Sequence, residues 1–262
     1  MLWVSTFAWG QQISKEEMLF LTPLWKGERF ADGRPKASDA LLQRLKSVTL
    51  EEAWAVLKNE NFKHNYEDGW QTINPDSVLV GRALTATFMP GRPDIQRVID
   101  DRGHTKDGRI KSQNSWPIDM LVKGDVYVVD QFGAHEDGPT IGDNLGNSIY
   151  AKTGNGIVYN GAVRDINGLK ELGRFTSFFR TYHPSHHLNQ LPVLHRLSKP
   201  NPDTGQIHGK LFRLTETKVS IKLRNGPISI SCAVATEPFH SISILITYYN
   251  EFQIYEYYSQ HI

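Results

Sequence analysis

The sequence predicts an α/β protein, and three observations carry that prediction. Segments with strand character, GDVYVVD (residues 124–130) and GIVYNG (156–161), are each followed by a helical pattern with its own start and stop. Two further helical patterns over 38–60 precede a strand-like run over 78–88. The composition is that of an ordinary globular chain, with 262 residues, 39% hydrophobic and 22% charged, enough for one large domain or two small ones. One domain with extensions is the organisation expected.

The formal net charge is +1, from 29 basic and 28 acidic residues, so no electrostatic footprint for nucleic acid or an anionic membrane is present. A single cysteine, Cys232, excludes an intrachain disulfide, and no paired Cys and His spacing suggests zinc. There is no internal repeat, low-complexity tract or transmembrane run.

Residues 1–10, MLWVSTFAWG, are mostly apolar and end in a small-residue pattern, like the tail of a secretory signal peptide. They lack a basic start and are too short to span a bilayer. Two readings stay open: a signal remnant, implying a periplasmic or exported protein, or an apolar segment packed on a cytoplasmic one. Residues 11–37 are amphipathic and then Pro- and Gly-rich, as expected of an arm that wraps the domain or a neighbouring subunit. The domain proper is placed at 38–187.

Within it, Leu41, Leu42, Leu45 and Val48, then Ala53, Val56 and Leu57, recur at helical spacing, with Asp39 and Thr49 near the two starts. Glu51 and Glu52 fall in a first turn, where the helix dipole favours acids; a place near the pocket is the other reading. Trp70 falls in a loop or edge strand, and 78–80 and 83–88 are strand segments, with Gly81 marking a bend or bulge between them. Residues 91–121 mix a short helix with a polar insertion longer than ordinary connections, read as a lid or subunit-contact loop. Its Arg92, Arg97 and Arg102 are read as solvated charges.

The strand at 124–130 gives way to a turn-rich loop. Asp143 then stands at the expected N-cap of a helix with Leu145, Ile149 and Tyr150 on one face and Gly154 as its stop. The strand at 156–161 leads through AVRD into a short helix closed by Gly173. Residues 174–187 begin as a strand and end in a turn, where His183, His186 and His187 read as a polar loop rather than a metal site.

Asp143, Arg164 and Asp165 therefore sit just past strand ends, the edge where ligands collect in open α/β layers. The amides of Asn144 and Leu145, after Gly142 at a helix start, suit a ligand carboxylate, and the Arg164 fork suits the same ligand. Asp165 is then left for a hard divalent cation such as Mg2+ or Mn2+, with Asp143 as a water-holding partner. Such a site suits an α-keto acid, whose enolate a metal and an arginine would stabilise. A helix-start Asp also serves simply as a cap, and an Arg-Asp pair as a surface ion pair.

The spacing Asp143, twenty residues, then Arg164 and Asp165, set in GDVYVVD and GIVYNGAVRD, resembles the RraA-like proteins and 4-hydroxy-4-methyl-2-oxoglutarate aldolases, formerly mislabelled as demethylmenaquinone methyltransferases. GRALTATFMPGRPD (81–94) is similar to the same family's early strand and loop, and the likeness covers roughly residues 30 to 185. The resemblance implies a layered β/β/α swivelling-domain fold, assembled as a homotrimer or a pair of trimers with active sites at subunit interfaces. It implies Arg164 as the substrate and enolate arginine, Asp165 as the metal ligand, Asp143 as the residue that positions or activates a water, and Asn144 and Leu145, after Gly142, as an amide cradle. Members lacking this set include the non-catalytic inhibitor of ribonuclease E. The implied activity is that of a metal-dependent class II aldolase or decarboxylase acting on an oxo acid, with a non-catalytic binding or regulatory protein of the same fold as the alternative. GNGIVYNG precedes a strand, unlike a nucleotide fingerprint, so a methyltransferase or Rossmann role is not expected.

The resemblance fails beyond about Leu188. KVSIKL, ISISCAV and SISILITYY still alternate like strands. Either this region has diverged and still builds strands, or a reading-frame change has replaced it, in which case an acidic residue that the family supplies from this end is not assignable.

Overall fold

The structure, a computed structural model, describes residues 14–23, 25–59, 69–131, 139–186, 190–192 and 220–223. Residues 1–10, His187 and the strand patterns ISISCAV and SISILITYY lie outside them, as does most of the loop after residue 131.

The N-terminal arm begins with helix α1 (Lys15–Leu21) and then folds back on itself around one guanidinium. Arg29 donates to the carbonyls of Thr22, Trp25 and Gly33 and to the Thr22 hydroxyl, so one charge gathers the turn that no regular ladder holds. Helices α2 (Asp39–Leu45) and α3 (Leu50–Asn59) follow as predicted. The cap of α2 is Ser38, whose side chain accepts from the Leu41 amide, one residue earlier than the start read at Asp39. Thr49 and Glu52 form a reciprocal capping box, the Glu52 amide donating to the Thr49 hydroxyl and the Thr49 amide to the Glu52 carboxylate. The first-turn reading of Glu52 is the one the structure supports.

The sheet runs β1 (Gln71–Ile73), β5 (Ser177–Tyr182), β4 (Ile157–Val163), β3 (Asp125–Asp130), β2 (Leu79–Pro90) and β6 (Gln190–Pro192), while β7 (Ser220–Leu223) also pairs with β2. Strands β2 to β5 are mutually parallel, and β1, β6 and β7 are antiparallel additions at the two sides. β7 falls in KVSIKL, so that stretch does form a strand. The expected break at Gly81 is absent, since β2 passes through it without interruption. Gly81 marks a close approach instead: a side chain there would meet the Gly124 carbonyl at 2.7 Å and Val126 Cγ2 at 2.7 Å.

Helices α6 (Asp143–Thr153) and α7 (Ile166–Glu171) follow β3 and β4. They cover a core of Tyr127, Val129, Ile157, Tyr159, Phe175 and Phe179, all at most 2% exposed, into which Ile149 and Leu169 project. Side chains of this size each contribute about 1.5–3 kcal/mol on burial. Gly154 ends α6 at φ 68°, a left-handed turn that suits glycine.

Residues 91–121 hold more regular structure than the short helix and polar insertion expected. Helix α4 (Pro93–Thr105) is the longest described helix, followed by a 3-10 turn (Gln113–Ser115) and α5 (Trp116–Asp119). Trp116, 3% exposed, lies against α4 where Gly103 leaves room, and its indole N–H donates to the Ile110 carbonyl at 3.0 Å. Arg92 and Arg97 are exposed as expected, whereas Arg102 is half-buried and 3.7 Å from Asp107.

At the opposite end of the sheet, Arg82 fastens α2 to the strands. Its guanidinium donates to the Ala37 carbonyl, to Asp39 and to the Lys123 carbonyl, and lies 3.6 Å from the fully buried Asp125. Burial pushes the Asp125 carboxyl up to about 6, against the Val122 amide that it accepts and the nearby Arg34 and Arg82.

Candidate functional site

The site is assembled by the way the chain enters α6. Thr140 is held at the buried Tyr159 hydroxyl through its own hydroxyl and its amide, which fixes the approach to Ile141. Ile141 forms a parallel bridge with Val163, and the Arg164 amide donates to the Ile141 carbonyl at 3.0 Å. The end of β4 is thus stitched to the start of α6. Asp143 and Arg164, with twenty residues between them, are thereby brought to the C-terminal edge of the parallel strands.

Gly142, not Asp143, is the N-cap of α6, in extended backbone at φ −129°. Asp143 is the first helical residue, and its carboxylate turns to its immediate neighbour: Asp143 Oδ1 accepts from the Asn144 amide at 2.7 Å. Of the two amides expected to cradle a ligand carboxylate, that of Asn144 is therefore engaged by Asp143. Leu145 packs its half-buried side chain against the core. On its other side Asp143 abuts α7, where a side chain on Gly168 would meet Asp143 Cβ at 2.7 Å and Oδ2 at 3.3 Å.

Asp165 caps α7 from the left-handed region, at φ 54° and ψ 44°. Asn and Asp tolerate that conformation better than other non-glycine residues, but it still costs energy. A side chain on Gly142 would collide with Asp165 Oδ2 and meet Arg164 Nε at 3.1 Å. The absence of a Cβ there lets the pair lie across the helix start. Arg164 Nε is buried without a hydrogen-bond partner and stands 3.7 Å from Asp165 Oδ2, too far to bond it, while the two side chains are 35% and 40% exposed.

An unsatisfied guanidinium N–H next to a partly exposed carboxylate leaves both groups in want of a further partner. A hard divalent ion needs one or two carboxylates with waters filling its shell, and Asp165 and Asp143 are the carboxylates at this edge. Among the described residues no group of three or more His, Cys, Asp or Glu could hold a metal, so an ion here would be held mainly through water.

Among the described residues, His183 and His186 belong to no metal-holding group. The His183 amide donates to the Val163 carbonyl, and its ring Nδ1 accepts from the Ser185 amide at 3.3 Å, as a polar turn requires; His186 is exposed. Sequence reasoning passed over Asp130, Asn160 and Arg180, which form a hydrogen-bonded row across β3, β4 and β5; Asp130 ends its strand, while Asn160 and Arg180 lie inside theirs.

Residues 35–193 match the family model described as RraA-like, Aldolase/RraA. Among solved structures the chain is similar to RraAS2 of Streptomyces coelicolor, described as an unusual member of the RNase ES inhibitor RraA protein family, at 17% identity and TM-score 0.54 over 86% of this chain and 98% of that one. An uncharacterized Pseudomonas syringae protein aligns at 14% identity and TM-score 0.53 over 85% and 86% of the two chains. A third, described among novel cellulases from gut-associated microbes, aligns at 14% identity and TM-score 0.57 over 90% and 91%. At these identities the likeness speaks for the fold alone. No curated protein matches the chain in sequence.

Proposed function

The chain belongs to the RraA-like family, Aldolase/RraA, and from that premise we propose that it is a divalent-metal-dependent lyase that cleaves a carbon–carbon bond of a 4-hydroxy-2-oxo acid, or of an oxaloacetate-like acid, and releases pyruvate. The observation that carries the reading is the buried, unsatisfied Nε of Arg164 beside the strained, half-exposed Asp165. Strain of this kind persists where the surrounding structure over-determines it, and it concentrates at sites that use it.

Mg2+ or Mn2+, held by Asp165 and waters, supplies Lewis-acid polarisation of the oxo group when bound. The protein's own contribution begins with orientation. The Arg164 fork binds the oxo acid and neutralises the oxygen on which negative charge grows as the bond breaks, a placement worth most in the transition state. Asp143, pinned at Oδ1 by the Asn144 amide, keeps Oδ2 as the acceptor that holds a water for proton transfer. The Leu145 end of α6 and the Gly142 turn form the floor on which the substrate carboxylate rests. Assembly as a homotrimer or a pair of trimers, with pockets at the subunit boundaries, is part of the same proposal.

The test is pyruvate release from oxaloacetate and from 4-hydroxy-4-methyl-2-oxoglutarate, with Mg2+ and with a chelator. Release that the chelator removes is expected; no release from either acid would contradict the reading. A second reading, a non-catalytic binding or regulatory protein of the same fold, is favoured by the loss of the family pattern after residue 188 and by the description of the Streptomyces relative as belonging to an inhibitor family.

A further inference from the structure

We propose that Asn160 is a positioning residue for Arg164 and Asp165, acting through a polar row that crosses β3, β4 and β5; the proposal rests on the reading of that site given above. Asn160 lies opposite Asp130 in the β3 and β4 register. Its Nδ2 donates to Asp130 Oδ1 at 2.8 Å, and its Oδ1 accepts from Arg180 Nε at 2.9 Å. The Asn160 backbone carbonyl accepts from the Gln131 amide at 3.1 Å. Arg180 in turn lies 3.8 Å over the indole of Trp70, which is 6% exposed. One carboxamide is thus tied to two neighbouring strands, and the far end of the row is clamped on a buried ring.

Its location gives the row a consequence. The pairing of β4 with β5 is regular from Ile157 to Tyr159, slips, and resumes with Ala162 opposite Thr181 and Val163 opposite Tyr182. Asn160 and Gly161 occupy the slip. A side chain on Gly161 would meet Tyr159 Cε1 at 2.9 Å and Gln131 Cβ at 3.1 Å, so the irregular backbone is pressed against its neighbours there. A one-residue slip decides which way every following side chain points, and bulges beside functional sites re-aim them in this manner. Four residues on stands Arg164. The Asp130, Asn160 and Arg180 bonds therefore hold the slip that sets the direction of Arg164 and Asp165.

The row also specifies its middle residue. Arg180 only donates, and an ionised Asp130 only accepts, so the group between them must accept at one end and donate at the other, as a carboxamide does. Asn160→Asp sets two carboxylates against each other across the strands. Combining it with Asp130→Asn restores one donor and one acceptor in exchanged places.

The experiment compares wild type, Asn160→Asp, Asp130→Asn and the double exchange in the full chain. Oxaloacetate turnover with Mg2+ and hydrogen exchange of the backbone over residues 161–165 are both followed. In the single variant Asn160→Asp, kcat should fall by about 10²-fold, the scale of a misplacement of about 1 Å, with a smaller change in KM, and exchange should quicken locally. The double exchange should recover kcat to within about tenfold of wild type and restore slow exchange. Wild-type kcat and exchange in Asn160→Asp, or a double exchange as impaired as the product of the single effects, would overturn the proposal. If the wild type itself shows no turnover, the lyase reading falls, and the exchange pattern alone decides whether Asn160 holds the slip: local acceleration reversed by the double exchange sustains it, and unchanged exchange overturns it.

Discussion

Arg164 shows how much a single residue's geometry decides. Its planar fork presents several donors in fixed directions, which an ammonium on a flexible stem does not reproduce. Arg164→Lys is therefore expected to lose most turnover, on the order of 10²-fold in kcat/KM, while the thermal midpoint stays near that of wild type; steady-state kinetics alongside a melting curve checks both. Asp165 makes the complementary case. Because Asn also tolerates the left-handed conformation, Asp165→Asn should fold with a stability change under about 1 kcal/mol, whereas Asp165→Gly removes the strain and should gain up to about 1 kcal/mol in denaturant unfolding. Stability gained by Asp165→Gly together with lost turnover would identify the strain as a cost held for function. The sequence showed these residues plainly, since the Gly-Asp and Arg-Asp pairs stand where strand patterns end. What it did not show was the Asn144 amide turned to Asp143, or the clearances at Gly142 and Gly168, because these depend on how α6 and α7 lie against each other.

Among the elements, α2, α3, α6 and α7 and strands β3, β4 and β5 were legible because period, cap and stop agree locally. Helix α4 was read too short because its apolar face is thin: Ile99 and Gly103 are its buried residues and pack with Trp116, and periodicity carries no record of a partner beyond the helix's own end. Gly103→Ala tests that packing. The added methyl would collide with the Trp116 ring, an overpacking cost of about 1–3 kcal/mol. The better helix propensity of Ala offsets at most about 1 kcal/mol of it. A net loss in denaturant midpoint is expected, with turnover retained. The Arg82 and Asp125 pair predicts a pH dependence at the other end of the sheet. The folded Asp125 carboxyl titrates at about 6, above its unfolded value, so between about pH 4 and 6 the folded chain holds the proton that the unfolded chain has released. Its contribution to stability should fall as pH rises through that window and stay level above it. Comparing denaturant midpoints of wild type and Asp125→Asn from pH 4 to 7 shows the sign: the wild type should lose ground to the variant as pH increases.

For the molecule as a whole, the parallel strands β2 to β5 carry the proposed chemistry at one edge and the Arg82 latch at the other, so stability and function are tested by different substitutions. The α/β class was legible from alternation of strand and helix patterns. Of the sheet's outer strands β7 was legible in KVSIKL, whereas β1 and β6 were not, since they are three residues long and are defined by pairing partners far away in sequence. The most direct measurement is pyruvate release from oxaloacetate across a Mg2+ titration, run side by side on wild type and Asp165→Asn with melting curves for both. Release should rise with Mg2+ and disappear with chelator in the wild type, and be lost at every Mg2+ concentration in a folded Asp165→Asn protein. Release by Asp165→Asn with the wild-type Mg2+ dependence would contradict the role given to Asp165.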